Sequence, residues 1–137
     1  MGNINAKRDW SDFEDFIDGV WKMLNQTAPK DYVLSSNETH TIREFIEKAL
    51  KHAGIDGAWH GDAQQETFII SPEFAKKNNI HSRTLIKINP KFYRPAEVEL
   101  LLGDSTLARN ELGWAPKISF NHLVERMVKH DIDHFKS

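Results

Sequence analysis

The sequence predicts an α+β domain of about four helices joined by short strands. Three observations support this prediction. Apolar residues recur at helical spacing in several segments, short apolar runs lie between them, and Gly or Pro closes most of these segments. The chain has 137 residues, a length that suits one domain with its own core. We therefore expect residues 1–137 to form a single domain.

The first predicted helix covers residues 12–26. Ser11, followed three residues later by Glu14, is typical of a capping box, in which each side chain satisfies a free backbone amide. An apolar stripe follows at helical spacing and predicts a face packed in the core. The stripe consists of Phe13, Phe16, Ile17, Val20, Trp21 and Leu24.

A short strand and a second helix are predicted next. Residues 32–34 form an apolar run between turn residues, which is typical of a strand. Thr41 with Glu44 repeats the capping-box pattern, and Gly54 predicts the end of the second helix. Its apolar stripe is Phe45, Ile46, Ala49, Leu50 and Ala53, of which Phe45 and Ile46 are expected in the core.

The middle of the chain predicts short strands. Residues 58–60, 67–70 and 85–88 are apolar runs bounded by turn residues, and residues 72–79 predict one short helical turn. Residues 92–95 are expected to be extended, because proline disfavours the helical conformation at the residue before it.

Two helices are predicted at the end of the chain. Asp104 or Ser105 is expected to cap a short helix that ends at Gly113, and Ser119 to cap a final helix. The apolar face of the final helix is Phe120, Leu123, Val124, Met127, Val128 and Ile132.

Composition excludes several classes of protein. Lys and Arg number 18 against 20 Asp and Glu, a net charge of −2, which argues against binding nucleic acid or a membrane surface through bulk charge. The absence of cysteine excludes disulfides, thiol nucleophiles and cysteine-ligated zinc. No apolar run approaches the about 20 residues of a membrane span, and the N-terminal residues lack a signal-peptide core. We expect a cytoplasmic protein without a membrane or nucleic-acid partner.

The usual devices of nicotinamide chemistry are missing from the sequence. No three glycines have the G-x-G-x-x-G spacing that holds a dinucleotide pyrophosphate, and no P-loop is present. Tyr32 and Tyr93 are followed four residues later by Ser36 and Glu97, so no Tyr-x-x-x-Lys pair exists. We therefore expect no cofactor and no catalytic residue in this chain.

A metal site is the weaker interpretation of the histidines near the end of the chain. His130 and His134 are four residues apart and share a helical face, but a metal site needs a third ligand. Positive groups are also common at helix C-termini, where the helix dipole favours them. We expect no metal site here.

Two arginines stand out as candidate anion ligands. Arg8 follows a predicted extended segment and Arg94 precedes a proline, and a guanidinium can hold phosphate oxygens through two parallel hydrogen bonds. Glu97 could accept hydrogen bonds from ribose hydroxyls. The structural alternative, which the residues alone favour, pairs Arg8 with Asp9 or a helix end and Arg94 with Glu97 or Glu99.

Six segments of the chain resemble the carboxy-terminal portion of the GDP-mannose 4,6-dehydratase family, in the same order and with similar spacing. They are MGNINAKRDW (1–10), DYVL (31–34), ETHTIREF (38–45), FYRPAEV (92–98), LGD (102–104) and LGWAPK (112–117).

The resemblance implies a role for each candidate residue. Members of this family are extended short-chain dehydrogenase/reductases, with an amino-terminal Rossmann domain for NADP and catalysis and a smaller domain that helps to bind the GDP-sugar. By resemblance, Arg8 and Arg94 contact the diphosphate and Glu97 the nucleotide ribose. Lys7 is expected to be solvated.

The resemblance also implies what this chain lacks. It begins about where the carboxy-terminal portion begins, so the Rossmann domain is missing. The family oxidises C4 of GDP-mannose, eliminates water across C5–C6 and reduces C6, all with bound NADP. We therefore expect a chain that binds GDP-mannose or a related GDP-sugar without turnover. An apolar surface would face a Rossmann-domain subunit or a second copy. The alternative is a non-catalytic interaction module that kept the fold but not the ligand.

Overall fold

The computed structural model of the chain describes residues 1–94 and 100–136. Within these residues it contains five α-helices, five strands and two 3₁₀ turns, at Ala63–Gln65 and Pro90–Phe92. In chain order, the strands and helices are β1 (Lys7–Arg8), α1 (Phe13–Leu24), β2 (His40–Thr41), α2 (Ile42–His52), β3 (Gly57–His60), β4 (Thr67–Ile70), α3 (Pro72–Lys77), β5 (Thr84–Lys87), α4 (Thr106–Leu112) and α5 (Phe120–Lys136).

The strands form two small antiparallel sheets. β1 pairs with β2, with Arg8 opposite His40. β3, β4 and β5 form a meander in which Phe68 of β4 lies opposite Trp59 of β3 and Ile86 of β5. The predicted α+β class is confirmed, and the described residues contain none of the parallel strand–helix–strand units that build a Rossmann domain.

The main apolar core includes residues from α2, from β4, from the N-terminal segment before β1 and from the position directly after β5. The predicted capping box at the start of α2 is confirmed, because Thr41 Oγ1 accepts a hydrogen bond from the Glu44 backbone N–H at 3.1 Å and the Glu44 carboxylate accepts one from the Thr41 N–H. The buried members of this core are Ile4, Ile46, Leu50, Phe68 and Ile88.

A second buried region lies between α1 and the end of α4. Trp114 is fully buried, and its indole Nε1 donates a hydrogen bond to the Asp15 carbonyl at 2.7 Å. α4 ends as predicted at Gly113, whose φ of 61° lies in the left-handed region that favours glycine. α5 packs against α2, and Ser119 caps it as predicted by accepting a hydrogen bond from the His122 N–H.

The start of α1 differs from the prediction by one residue. Asp12 is the N-cap, and its carboxylate accepts a hydrogen bond from the Glu14 backbone N–H at 3.0 Å. The same carboxylate accepts a charge-assisted hydrogen bond from Arg126 of α5. A neutral serine hydroxyl could not form this ion pair. The Ser11 hydroxyl is buried and has no hydrogen-bond partner among the described residues. The predicted Ser11–Glu14 box is therefore wrong.

The apolar stripe of α1 does not lie in the core. Asp15 and Gly19 are the buried residues of this helix. The six residues of the stripe are between 38% and 76% exposed, and we call them the α1 apolar face: Phe13, Phe16, Ile17, Val20, Trp21 and Leu24. The expectation that Phe13, Phe16 and Trp21 are core residues is wrong, whereas Ile46 is buried as predicted and Phe45 is half-buried.

The predicted strand at residues 32–34 is also wrong. The segment is not part of a described sheet, and it is tied to α4 by side chains. Tyr32 donates a hydrogen bond to Glu111 Oε2 at 2.8 Å, and Lys30 forms an ion pair with Glu111 at 2.6 Å. An apolar run here supplies side chains for packing without a strand partner.

The remaining predictions for the middle of the chain agree with the structure in most places. The strands predicted at 58–60, 67–70 and 85–88 correspond to β3, β4 and β5, and the turn predicted at 72–79 is the helix α3, a fifth helix. At residues 92–95, Phe92 belongs to a 3₁₀ turn, Tyr93 is extended, and Pro95 lies outside the described residues.

Candidate functional site

β1 holds the first candidate residue beside an aromatic cluster. Arg8 is half-buried, and its Nη1 donates a hydrogen bond to the Lys7 carbonyl at 2.8 Å. Trp10 follows two residues later and stacks on Phe120, the first residue of α5, with ring centroids 5.6 Å apart. His40, opposite Arg8 in the sheet, stacks on the same ring at 3.9 Å. These contacts fix the two-stranded sheet against α5.

The second candidate residue follows a segment that lies beside the N-terminal residues. The Met1 ammonium donates a hydrogen bond to the Lys87 carbonyl at 3.0 Å. A Cβ atom on Gly2 would lie 2.4 Å from the Phe92 carbonyl oxygen, so the two backbones approach as closely as only glycine permits. Arg94 comes two residues after Phe92 and is exposed.

The chain returns to the N-terminal residues after the segment that carries Glu97. Lys7 forms a parallel bridge with Leu100, and the Leu101 N–H donates a hydrogen bond to the Lys7 carbonyl at 3.3 Å. The N-terminal residues thus contact the chain at two described places, Phe92 through Gly2 and residues 100–101 through Lys7. Glu97 itself lies outside the described residues.

A polar network that the sequence analysis did not identify fixes the end of β1. The Asp9 carboxylate accepts hydrogen bonds from the Ser36 N–H, the Ser36 hydroxyl and the Asn37 N–H, at 3.1, 2.6 and 3.2 Å. Asn37 Oδ1 accepts hydrogen bonds from the backbone N–H and the hydroxyl of Ser105, both at 3.0 Å. Ser105 is fully buried. The network therefore joins the strand of Arg8 to the start of α4.

Arg109 completes this network from within α4. Its Nε donates to the Ser105 hydroxyl at 3.0 Å and its Nη2 to the Ser36 carbonyl at 3.1 Å. The sequence carried one usable signal, because Asn tolerates the positive φ of 63° found at Asn37. The contact between Asn37 and Ser105, 68 residues apart, has no local sequence signature.

The structure gives no direct test of the roles predicted for Arg8, Arg94 and Glu97, which stay predictions. Lys7 is exposed, as expected. A guanidinium group is permanently charged and can donate two parallel hydrogen bonds, so each of the two arginines is suited to bind an anion with several oxygens, such as a diphosphate.

The carboxylates whose pKa is clearly shifted have structural partners. Hydrogen bonds from the Thr106 hydroxyl and N–H lower the pKa of Asp104, and hydrogen bonds from Lys30 and Tyr32 lower that of Glu111. A hydrogen bond from Arg126 lowers the pKa of Glu14. These ion pairs and turn hydrogen bonds stabilise the local structure. A carboxylic general acid needs a raised pKa, and the pKa of each of these three groups is lowered instead.

Neither a metal site nor a nicotinamide site is formed by the described residues. They contain no group of three metal-ligating side chains, and the rings of His130 and His134 lie 6.4 Å apart in near-parallel planes. None of their glycines opens a helix after a parallel strand, so they offer no turn for a dinucleotide pyrophosphate. We derive no nicotinamide-dependent step for this chain.

Among the described residues, none of the helices is both long enough and apolar enough to cross a lipid bilayer.

Comparison with known proteins identifies relatives along the whole chain. A sequence profile described as GDP-mannose 4,6 dehydratase matches residues 1–127. A GDP-mannose 4,6 dehydratase of Dictyostelium discoideum is 42% identical over 100% of this chain and 36% of its own length. The enzyme of that name from Drosophila melanogaster is 40% identical over 97% of this chain and 32% of its own length. The GDP-mannose 4,6-dehydratase of Vibrio cholerae is 34% identical over 100% of this chain and 37% of its own length.

A solved structure shares the fold. The structure of RMD from Pseudomonas aeruginosa complexed with NADPH superposes with a TM-score of 0.66 and 18% identity, over 94% of this chain and 34% of that one. The present chain thus spans about a third of the length of the relatives it matches, and it corresponds to their carboxy-terminal portion. On the evidence of the profile match and of relatives that align along nearly all of its residues, the chain belongs to the GDP-mannose 4,6-dehydratase family.

Proposed function

We propose that this chain is the GDP-sugar-binding portion of a GDP-mannose 4,6-dehydratase, working in the cytoplasm on nucleotide-sugar metabolism. The observation that supports it most is the family match over residues 1–127, which includes both candidate arginines and Glu97. The contacts of Gly2 with Phe92 and of Lys7 with Leu100, which precede Arg94 and follow Glu97 along the chain, also support the proposal.

The chemistry of the candidate residues suits a GDP-sugar. Arg8 and Arg94 would bind the diphosphate oxygens, since guanidinium hydrogen bonds to phosphate are charge-assisted and can be bidentate. Glu97 would accept hydrogen bonds from the ribose hydroxyls. The Asp9–Ser36–Asn37 contacts would hold the backbone next to Arg8 in place, which lowers the entropy lost on binding.

We expect no turnover by this chain alone. NADP supplies hydride chemistry in the family, and the residues that hold it and act as acid and base would belong to the two thirds of the relatives that this chain does not span. In keeping with this, Tyr32 and Tyr93 have no lysine four residues later. GDP-mannose would bind here and react only when that remaining part is also present.

Isothermal titration calorimetry with GDP-mannose tests the proposal, with GDP and UDP-glucose as comparison ligands. We expect GDP-mannose and GDP to bind more tightly than UDP-glucose. In the Arg8→Ala/Arg94→Ala variant, each lost charge-assisted hydrogen bond should cost about 1.5–3 kcal/mol, or roughly 10- to 150-fold in affinity.

A variant with the same loss of charge serves as the control. Lys76→Ala/Lys77→Ala removes two positive charges from the last turn of α3, outside the candidate segments. It should bind GDP-mannose as the unmodified chain does. Equal weakening in both variants would mean that the arginines act through net charge alone, and the absence of heat with GDP-mannose and GDP would contradict the proposal.

A second candidate function is a non-catalytic interaction module. The observation in its favour is the α1 apolar face, a surface that soluble proteins rarely leave open without a partner. Under this alternative Arg8 and Arg94 are structural, so no GDP-sugar affinity exists to be lost and the double arginine variant should instead lower the free energy of unfolding.

A further inference from the structure

His40 lies on the strand opposite the first candidate arginine. In the two-stranded sheet Arg8 is paired directly with His40, so the two side chains leave the same face of the sheet, with Cβ atoms about 5 Å apart. In the proposed function, Arg8 binds the diphosphate. A change of charge on His40 would therefore act on the proposed anion site at close range.

The imidazole of His40 is held in one orientation. Its ring stacks on that of Phe120, with centroids 3.9 Å apart and planes 7° from parallel. Nδ1 lies 2.9 Å from Glu44 Oε2, and because an ionised carboxylate can only accept a hydrogen bond, Nδ1 carries the proton in this contact. The His40 side chain is 26% exposed, so solvent reaches only a small part of it.

The second ring nitrogen faces a carboxylate without bonding to it. Nε2 of His40 is buried and has no hydrogen-bond partner among the described residues, although Glu38 Oε2 lies 3.6 Å away. In a neutral ring with its proton on Nδ1, Nε2 is an acceptor, so it cannot form a hydrogen bond with a carboxylate. Protonation makes Nε2 a donor, and the Glu38 side chain, which is 70% exposed, has room to close this distance.

The charges around His40 predict the direction of the effect on an anion. Glu38 and Glu44 are negative and Arg8 is positive, so these groups and a neutral His40 carry one net negative charge, which protonation of His40 cancels. The α5 side of the ring is covered by an uncharged phenyl group. Three further charged residues line the cleft on the solvent side, namely Glu47, Lys48 and Lys51. Carboxylates and lysines ordinarily keep their charge over the range in which histidine titrates.

Glu38 also belongs to the loop that binds Asp9, the residue after Arg8. The Glu38 N–H donates a hydrogen bond to Ser36 Oγ at 3.1 Å, and the N–H groups of Ser36 and Asn37 donate to the Asp9 carboxylate. A hydrogen bond from the imidazole to Glu38 would tie this loop to β2 as well. A better-ordered β1 loses less entropy on binding a ligand, so this effect and the change of charge act in the same direction.

Resting on the proposed function, we infer that His40 is a positioning residue for Arg8 and that its protonation strengthens GDP-sugar binding. The affinity should rise as pH falls from about 8 to about 5.5, the range in which histidine gains its proton. Since binding and protonation are linked, binding of the GDP-sugar also draws a proton onto His40.

Calorimetric titration with GDP-mannose over this pH range, at constant ionic strength, tests the inference. GDP-mannose is the probe because its diphosphate is esterified at both ends and keeps its charge, whereas a terminal phosphate titrates near about pH 6. We expect the affinity to rise by about 5-fold between about pH 8 and about pH 5.5. The heat measured at an intermediate pH should differ between buffers of low and high ionisation enthalpy, because the proton taken up comes from the buffer.

Four single variants identify the groups responsible. His40→Gln should lose both the rise in affinity and the dependence on buffer, whereas His60→Gln, which removes an exposed histidine from β3, should keep both. Glu38→Gln removes the facing carboxylate from a mostly exposed side chain, so the fold should persist while the rise in affinity shrinks. Glu73→Gln removes one negative charge from the first turn of α3 and should leave the rise unchanged.

The outcomes separate this inference from the proposed function. Binding of GDP-mannose with the same affinity at all pH values, or a rise in affinity that His40→Gln retains, would overturn the inference and leave the GDP-sugar proposal in place. If His40→Gln does not fold, an undiminished rise in Glu38→Gln would overturn the inference instead. Absence of binding at every pH would overturn both.

Discussion

α1 and α2 are similar as sequences and opposite as structures. They have 12 and 11 residues, each carries an apolar stripe, and each begins with a side chain that accepts a hydrogen bond from the Glu14 or Glu44 backbone N–H. α2 buries Ile46 and Leu50 in the main core, whereas α1 exposes its stripe. Amphipathic periodicity therefore identifies the face that needs a partner, but not whether the partner lies in the same chain.

The difference arises from what each helix meets within the chain. α2 lies against a sheet that offers Phe68 and, at its edge, Ile88. The side of α1 that faces the rest of the chain meets the Trp114 indole and two backbone N–H groups, which a carboxylate and a carbonyl of Asp15 satisfy. An apolar side chain at position 15 would leave the part-buried N–H groups of Lys117 and Ile118 without this acceptor, a cost of about 1–3 kcal/mol for each one that stays away from water.

The largest expected effect tests this comparison with one substitution at two sites. Leu50→Ala in α2 should reduce the free energy of unfolding by about 2–5 kcal/mol, because it leaves a cavity in the core. Leu24→Ala in α1 removes the same atoms from a side chain that is 76% exposed, and we expect a change of less than about 0.5 kcal/mol. Urea unfolding measures both, and equal losses would show that α1 is covered in solution.

A smaller difference in stability is expected between substitutions in the two capping boxes that the sequence predicts, one at the start of α1 and one at the start of α2. Thr41→Ala removes the acceptor for the Glu44 N–H and should cost about 1 kcal/mol. Ser11→Ala removes a buried hydroxyl that has no hydrogen-bond partner among the described residues, so stability should stay the same or rise slightly. Thermal unfolding of both variants is the measurement. A greater loss for Ser11→Ala would mean that Ser11 caps α1 in solution.

The sequence predicts the elements of this fold well where local chemistry determines them. The start of α2 at Thr41, the end of α4 at Gly113 and the start of α5 at Ser119 follow from capping rules that involve a few neighbouring residues. The failures at residues 11 and 32–34 have a different origin. In each case the local structure depends on a residue that is distant in the sequence. Arg126 pairs with the N-cap residue Asp12, and Glu111 accepts a hydrogen bond from Tyr32 in the second segment.

In the candidate site, too, the sequence predicts what residue chemistry determines and misses what long-range contacts determine. Arg8 and Arg94 could be singled out from the sequence because guanidinium chemistry and family resemblance both point to them. The network that supports Arg8 could not, since Asp9, Asn37 and Ser105 come from three separate parts of the chain. Ser and Asn are also common in loops for local reasons, so their types alone indicate no long-range contact.

The smallest expected effect concerns the contact between α1 and α5, and it depends on pH. The hydrogen bond from Arg126 lowers the pKa of Glu14 in the folded chain below its usual value of 4.5. A carboxylate of this kind stabilises the fold above the pKa it has in the unfolded chain and loses that contribution as pH falls through its folded-state pKa. The contact between α2 and α5 differs, because Lys48 and His52 donate there to the neutral Asn121.

Arg126→Gln should therefore be less stable than the unmodified chain at pH 6, and the difference should shrink as pH falls below about 4.5. Because Glu14 is exposed, the effect should be small and weaker still at high salt. Lys129→Gln removes one charge from the same helix and should show no such convergence. Urea unfolding between pH 6 and pH 3 measures both variants against the unmodified chain. A difference that persists unchanged at pH 3 would mean that Arg126 acts by packing its side chain rather than by pairing with the carboxylates of α1.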